Sequence, residues 1–314
     1  MEGAPAASRG NTPSFAIEEN AEYVDLSHKP HSRLGEGYTI PPTTKELDLT
    51  HCRLQRLENL DNLPALEKLV VRNNQLHKIE NLEALTSLRE LDLYDNQITA
   101  LENLSLPSLT YLDISFNVFR RIQNLTHEGL PHLTELYLIA AKISKIEGNF
   151  CHDLLCGLDT LTTLTTLELG SNRIRTIEGL DRLVNLENLW LGKNKITRIQ
   201  GLDQLTNLRK LSIQSNRLTE ITGLDNLRLL EELYLSHNGI DRIAGLDNLV
   251  SLKTLDLSAN RIAHLENLEH LTSLEELWTV YLHGNPVAKH PQYQEQVVAA
   301  LPSLAQLDSA TLPH

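Results

Sequence analysis

The leucines of this chain recur in a fixed phase. From about Lys45 onward, apolar residues fill the pattern Leu-x-x-Leu-x-Leu-x-x-Asn-x-Leu/Ile, with mostly polar residues between them, about every 22 residues. The unit is read in Leu88–Ile98, Leu186–Ile196, Leu208–Leu218, Leu230–Ile240 and Leu252–Ile262. Its Leu-x-Leu centre has the two-residue alternation of a strand, so both leucines turn inward and the residue between them turns out. A period sustained over a long chain predicts stacked units with one continuous core, rather than separate domains. The strands are expected to line a parallel concave sheet. Stretches such as Ile177–Leu186 are too short for a long helix, so one-turn or 3₁₀ helices are expected on the convex return.

The same phase predicts which residues face outward. The middle strand position falls at Asp48, Val70, Asp92, Asp113, Tyr137, Glu168, Trp190, Ser212, Tyr234, Asp256 and Trp278. The asparagines Asn74, Asn96, Asn117, Asn172, Asn194, Asn216, Asn238 and Asn260 end the strands, where an amide can both donate to and accept from backbone groups left unpaired by the bend. Cys52 holds that position in the first regular unit and reads as a buried substitute.

Two interruptions stand out. The step from Tyr137 to Glu168 is 31 residues, with the excess around 147–160, where a convex loop is expected. Near the end, the asparagine due at position 282 is replaced by Leu282, and the next candidate is Asn285. Residues 274–285 therefore read as the start of one repeat fused to the end of another.

Outside the regular units the pattern changes. Residues 1–20 are rich in Ala, Pro, Ser and Gly, without periodicity, and read as a disordered tail. Residues 21–44 read as an irregular first repeat and cap, and 45–285 as the solenoid. In 286–314, Tyr293, Val297, Val298 and Leu301 have helical spacing, so an amphipathic helix is expected to cover the last repeat. These features describe an α/β leucine-rich-repeat solenoid, a horseshoe of about 11–12 repeats with a C-terminal helical cap.

Composition narrows the function. The formal net charge of −13 argues against a nucleic-acid partner and favours a protein with a basic surface. Three cysteines without framework spacing point to a reducing compartment. The N-terminus lacks a basic segment followed by an apolar one, and no apolar run approaches a membrane span, so a soluble intracellular protein without membrane contact is expected. Cys151, His152, Asp153 and Cys156 are of metal-ligating type, but their spacing matches no standard zinc pattern, and no metal or cofactor is expected. No nucleophile, phosphate-loop or dinucleotide motif occurs, so the chain is not expected to be an enzyme.

The candidate chemistry lies in the outward column. Aromatic residues make up only 4% of the chain, yet Tyr137, Trp190, Tyr234 and Trp278 fall on the column, and Tyr281 joins it if Val280 and Leu282 point inward. Asp48, Asp92, Asp113, Glu168 and Asp256 supply acids, with Glu90, Glu135, Glu232 and Glu276 two residues earlier on the same face. Acids interleaved with aromatics suit a partner that presents Arg or Lys beside apolar patches. The alternative is that the aromatics pack on one another to stabilise the sheet, while the acids solvate it.

The segments Leu88–Ile98, Leu112–Asn117, Lys142–Glu147, Leu167–Glu178, Leu191–Thr197, Gln214–Thr219, Leu233–Ile240 and the tail from Val280 to Asp308 resemble the leucine-rich-repeat regulatory subunits of protein phosphatase 1 (the regulatory subunit 7 family), at variable positions as well as leucines. The resemblance covers about residues 22–310. It implies a non-catalytic protein that binds the phosphatase catalytic subunit through its concave face, without the short R/K-V-x-F docking peptide. It also implies a nuclear and cytoplasmic location, a link to mitotic phosphatase control, and a possible ternary complex with a second inhibitor. The contacts it implies are Asp113, Tyr137, Glu168, Trp190, Asp256, Glu276, Trp278 and Tyr281, to which the column itself adds Tyr234. One departure is a further repeat that relatives carry between the positions of Trp278 and Thr279, absent here, which draws Tyr281 about one strand spacing, roughly 5 Å, closer to Trp278. The runner-up reading is a cytoskeletal or ciliary adaptor with the same repeat and cap.

Overall fold

The computed structural model describes residues 17–30, 33–146 and 158–312. Twelve strands of three residues each carry the periodic Leu-x-Leu centres: β1 (Tyr23–Asp25), β2 (Glu46–Asp48), β3 (Lys68–Val70), β4 (Glu90–Asp92), β5 (Tyr111–Asp113), β6 (Glu135–Tyr137), β7 (Thr166–Glu168), β8 (Asn188–Trp190), β9 (Lys210–Ser212), β10 (Glu232–Tyr234), β11 (Thr254–Asp256) and β12 (Thr279–Tyr281). They pair in chain order, all parallel, and equivalent residues lie side by side. The middle residue of every strand is buried, as alternation requires. The core is one continuous stack of leucine and isoleucine layers. A fully buried leucine is worth about 1.5–3 kcal/mol. No repeat has enough of them to offset its own chain entropy, so each depends on its neighbours.

The asparagine ladder ties these neighbours together. Asn74 Oδ1 accepts from the Cys52 and Leu54 N–H groups of the preceding repeat, at 3.1 and 3.0 Å. Its Nδ2 donates to the Leu49, Val71 and Arg72 carbonyls. Asn172 makes the same five bonds across the long step, so Ala141, which lacks the amide, still has its N–H satisfied. Cys52 is fully buried and its thiol donates to the Leu26 carbonyl at 3.0 Å. Burial pushes the thiol up to about 11, which keeps it neutral and makes it a structural member of the ladder.

The convex return is tighter than a row of short helices. Most repeats use tandem three-residue turns, such as Leu63 N–H to the Leu60 carbonyl followed by Leu66 N–H to the Leu63 carbonyl. Among the described residues, 3₁₀ helices occur there at Leu158–Thr160 and Leu265–Leu271. The sequence breaks near both, and in both cases the extra chain leaves the sheet register intact. The expected convex loop at 147–160 falls mainly on residues 147–157, outside the described residues.

The second interruption is not a fused repeat. Leu277-x-x-Val280-x-Leu282-x-x-Asn285 is one complete unit, shifted by three residues, because Asp256 and its strand partner Tyr281 are 25 residues apart rather than 22. Asn285 is its ladder asparagine, accepting from the Ile262 N–H and donating to the Leu257 carbonyl.

The C-terminal cap combines a helix with added strands. Helix α1 (Tyr293–Ala300) packs against the 3₁₀ segments at 265–271 and 286–289. The chain then adds β13 (Gln306–Leu307) parallel to β12, and β14 (Ala310–Thr311) antiparallel to β13. Asp308 joins helix and sheet: Oδ1 accepts from the Leu282 and His283 N–H groups, and Oδ2 accepts from the Tyr293 hydroxyl at 2.9 Å. The two short strands extend the sheet past β12, whose open edge would otherwise be a template for aggregation.

Candidate functional site

Strand pairing assembles Asp113, Tyr137, Glu168, Trp190, Ser212, Tyr234, Asp256 and Tyr281 into one continuous column across eight neighbouring strands. At about 4.8 Å per strand this is a surface roughly 34 Å long. Seven of the nine residues expected to face a partner therefore lie in one line. The other two do not. Trp278 precedes β12 and shares a row with Lys253, whose carbonyl accepts its backbone N–H at 2.9 Å. Glu276 lies in the turn before Leu277, exposed but off the sheet. Both were displaced by the three-residue shift, and Tyr281 holds the column position. Trp278 remains the most exposed tryptophan, at 59%.

The acids of the column have a task that the strand pattern alone does not reveal. Asp25, Asp48, Asp92, Asp113 and Asp256 each accept the backbone N–H two residues on, and Glu168 does the same with Gly170. These side chains close the turn that leaves the strand. Asp113 is consequently only 7% exposed, and burial raises its pKa against the lowering effect of the Ser115 bonds. It belongs to the floor of the face rather than to its surface. The aromatics also have partners. The Tyr137 hydroxyl donates to Glu135 at 2.8 Å, the Tyr234 hydroxyl donates to Glu232 at 2.6 Å, and the Tyr137 ring tilts against Tyr111 with centroids 5.2 Å apart.

Glu168 differs from the other column acids. It sits between Tyr137 and Trp190, and burial pushes its carboxyl up to about 7, with the Gly170 N–H only partly opposing this. No ion pair reaches it among the described residues. Gly170 leaves the carboxylate room, since a Cβ there would lie 2.5 Å from Glu168 Oε1. The result is a recessed acid beside a half-buried indole, which a cation entering from outside would stabilise in its ionised form.

Sequence reasoning missed a second feature of the same face. Val70 is the small aliphatic member of the column, and beside it Lys68, Arg72, Asp92, Tyr111 and Glu135 line a depression of about 370 Å³. Its charges are already paired, Lys68 with Glu90 at 2.6 Å and Arg72 with Asp92. The signal was the lone valine in a column of polar and aromatic residues. Among the described residues, no group of three or more His, Cys, Asp or Glu converges as a metal site, and no helix is long and apolar enough to cross a membrane. Cys151, His152, Asp153 and Cys156 lie outside the described residues.

A profile described as "Leucine-rich repeat" matches residues 212–312, and one described as "Leucine Rich repeats (2 copies)" matches 45–84, 86–127, 162–204 and 184–226. An Arabidopsis thaliana protein described as "Protein phosphatase 1 regulatory inhibitor subunit PPP1R7 homolog" is 34% identical over 180 residues, 55% of this chain and 51% of that protein. The Dictyostelium discoideum "Protein phosphatase 1 regulatory subunit pprA" is 46% identical over 57 residues, 18% of this chain and 17% of that protein. The chain thus spans about half the length of one curated relative and under a fifth of the other. Among solved structures, an internalin (InlF) of Listeria monocytogenes superposes with a TM-score of 0.68 at 23% identity, over 94% of this chain and 88% of that one. The functional domain of InlJ from the same organism superposes with a TM-score of 0.64 at 24% identity, over 85% of this chain and 58% of that one. At such identities the superpositions speak for the fold alone. With its stacked parallel strands, its asparagine ladder and these matches, the chain belongs to the leucine-rich-repeat proteins.

Proposed function

We propose that this protein is a non-catalytic regulatory partner of the protein phosphatase 1 catalytic subunit and binds it across the concave column. The observation that carries the reading is the Glu168–Trp190 pair at the centre of the column, a recessed acid with no ion-pair partner among the described residues, next to an indole. A cation of the partner would pair with Glu168 while apolar surface covers Trp190, and buried Trp is among the residues that dominate interface energies. Tyr137, Tyr234, Asp256 and Tyr281 extend the contact along the column, and the exposed Trp278 flanks its end. The similarity to the Arabidopsis and Dictyostelium proteins described as phosphatase 1 regulatory subunits supports the choice of partner. In this reading the protein acts by covering phosphatase surface and stabilising one state of the enzyme, in nucleus and cytoplasm, and a second inhibitor can join the complex.

The test is a pull-down of purified phosphatase 1 catalytic subunit with the wild-type chain and with Glu168→Ala/Trp190→Ala, whose folding is checked by its thermal transition. Binding should fall at least about tenfold in the double variant, in line with the loss of a central hot spot. Undiminished binding by the folded variant removes the site. Absence of wild-type binding removes the function, and co-purification with tubulin or axonemal complexes instead establishes the adaptor reading.

A further inference from the structure

Beyond the concave face, the ladder asparagines also set the register of the edge at which the strands end. The residue after each ladder position donates its backbone N–H to the preceding repeat: Arg173 to the Ile143 carbonyl, Lys195 to Ile174 and Arg217 to Ile196, at 2.7–2.8 Å. Arg173, Lys195 and Arg217 are therefore stacked in successive repeats, about 4.8 Å apart, and Lys142, with a left-handed φ of 66°, follows the ladder position Ala141 in the repeat before. Three of the four are exposed and Lys195 is half-buried. None pairs with an acid among the described residues. Lys193, Arg175 and Arg198 widen the row on either side, and Glu220 is the acid at the equivalent positions of these repeats. Val118 ends the row in the repeat before, and Gly239 with Asp241 ends it in the repeat after.

This arrangement is unlike the charges on the sheet. There, signs alternate along a row: Arg209 pairs with Glu231 at 2.6 Å, and Glu231 with Lys253 at 2.8 Å. The edge row instead repels itself, on a chain whose net charge is −13. Such a row is a local positive site that an anion relieves.

We propose that this edge, centred on Arg173 and Lys195, binds a short acidic peptide segment of a partner protein. An extended segment running along the stack would place acidic side chains on one face about 6.8 Å apart, so two or three carboxylates span the four cations. Nucleic acid fits less well. A longer polyanion would run onto Asp241 and toward the acidic concave face, and the row has no aromatic residues on which bases could stack. The site needs no particular partner on the concave face, so it stands or falls independently of the phosphatase reading.

The experiment measures fluorescence anisotropy of a labelled oligoglutamate peptide of about eight residues, long enough to span the row, titrated with the full chain. Wild type should bind, and Arg173→Glu/Arg217→Glu should weaken binding about tenfold or more with an unchanged thermal transition. Lys78→Glu, an exposed residue on the same edge but four repeats before Arg173's ladder asparagine in the stack, should change it less than about twofold. Raising ionic strength from about 50 to about 500 mM should abolish it. No wild-type binding, equal binding by the reversed variant, or tighter binding of a single-stranded RNA of equal charge would each overturn the proposal.

Discussion

The earlier and later repeats solve the same convex turn in two different ways. In the earlier repeats the left-handed position is asparagine: Asn59, Asn81, Asn103 and Asn124 have φ of 57–60°, and each side chain donates to a carbonyl of the preceding repeat. In the later repeats it is glycine: Gly179, Gly201, Gly223 and Gly245 have φ of 66–70°. There the backbone has moved in against the preceding repeat, so a Cβ on Gly245 would lie 2.5 Å from the Ile221 carbonyl oxygen, and one on Gly223 2.7 Å from that of Ile199. One half bridges the gap with a side chain and the other closes it with backbone. Identical periods therefore do not mean interchangeable repeats. On the concave face the contrast is local: Lys68–Glu90 on β3 and β4 and Lys210–Glu232 on β9 and β10 are paired, whereas Glu168 on β7 is recessed.

Exchanging the two turn residues breaks this comparison most directly. Gly245→Asn keeps a residue that tolerates positive φ, so what remains is the steric conflict with Ile221, and a loss of about 2–3 kcal/mol is expected in urea unfolding. Glu168→Gln sharpens the contrast on the concave face. The carboxyl is raised to about 7 in the folded chain from an ordinary 4.5, so the folded state binds the extra proton between those values. Wild-type stability should fall as pH rises through that window and stay low above it. The variant lacks this loss, so it should match wild type near pH 4.5 and exceed it by about 1–2 kcal/mol at pH 8, a figure discounted for partial solvation. Asn81→Gly should have the smallest effect. It removes the 2.6 Å bond to the Leu57 carbonyl but suits the backbone conformation, and the same unfolding measurement should register a loss of about 1 kcal/mol or less. Equal costs for Gly245→Asn and Asn81→Gly would show that the two turns are equivalent after all.

Much of this was legible in the chain before folding. The inward leucines, the asparagine ladder and most of the column follow from phase, because burial at one position of a strand sets the direction of its neighbours. Trp278 and Glu276 were placed on the column by counting in steps of 22 from Asp256, whereas the last unit starts at Leu277, with Val280 and Leu282 as its inward pair. The turn-closing role of Asp113 and its relatives was not legible either. It depends on whether the carboxylate reaches an amide two residues on, and hence on the backbone path after the strand. The hairpin of the cap was hidden for a simpler reason: two-residue strands carry no periodic signal.

The sequence by itself determined that repeats stack, which side chains enter the core and where each strand ends, since a hydrophobic period leaves a repeating chain one economical way to bury itself. Only the tertiary structure decided what each free residue does. Stacking brings positions 21 to 31 residues apart to within one strand spacing, with the surplus absorbed on the convex side. That step turned Asp113 into part of the floor, left Glu168 recessed beside Trp190, and lined up Arg173, Lys195 and Arg217 along one edge.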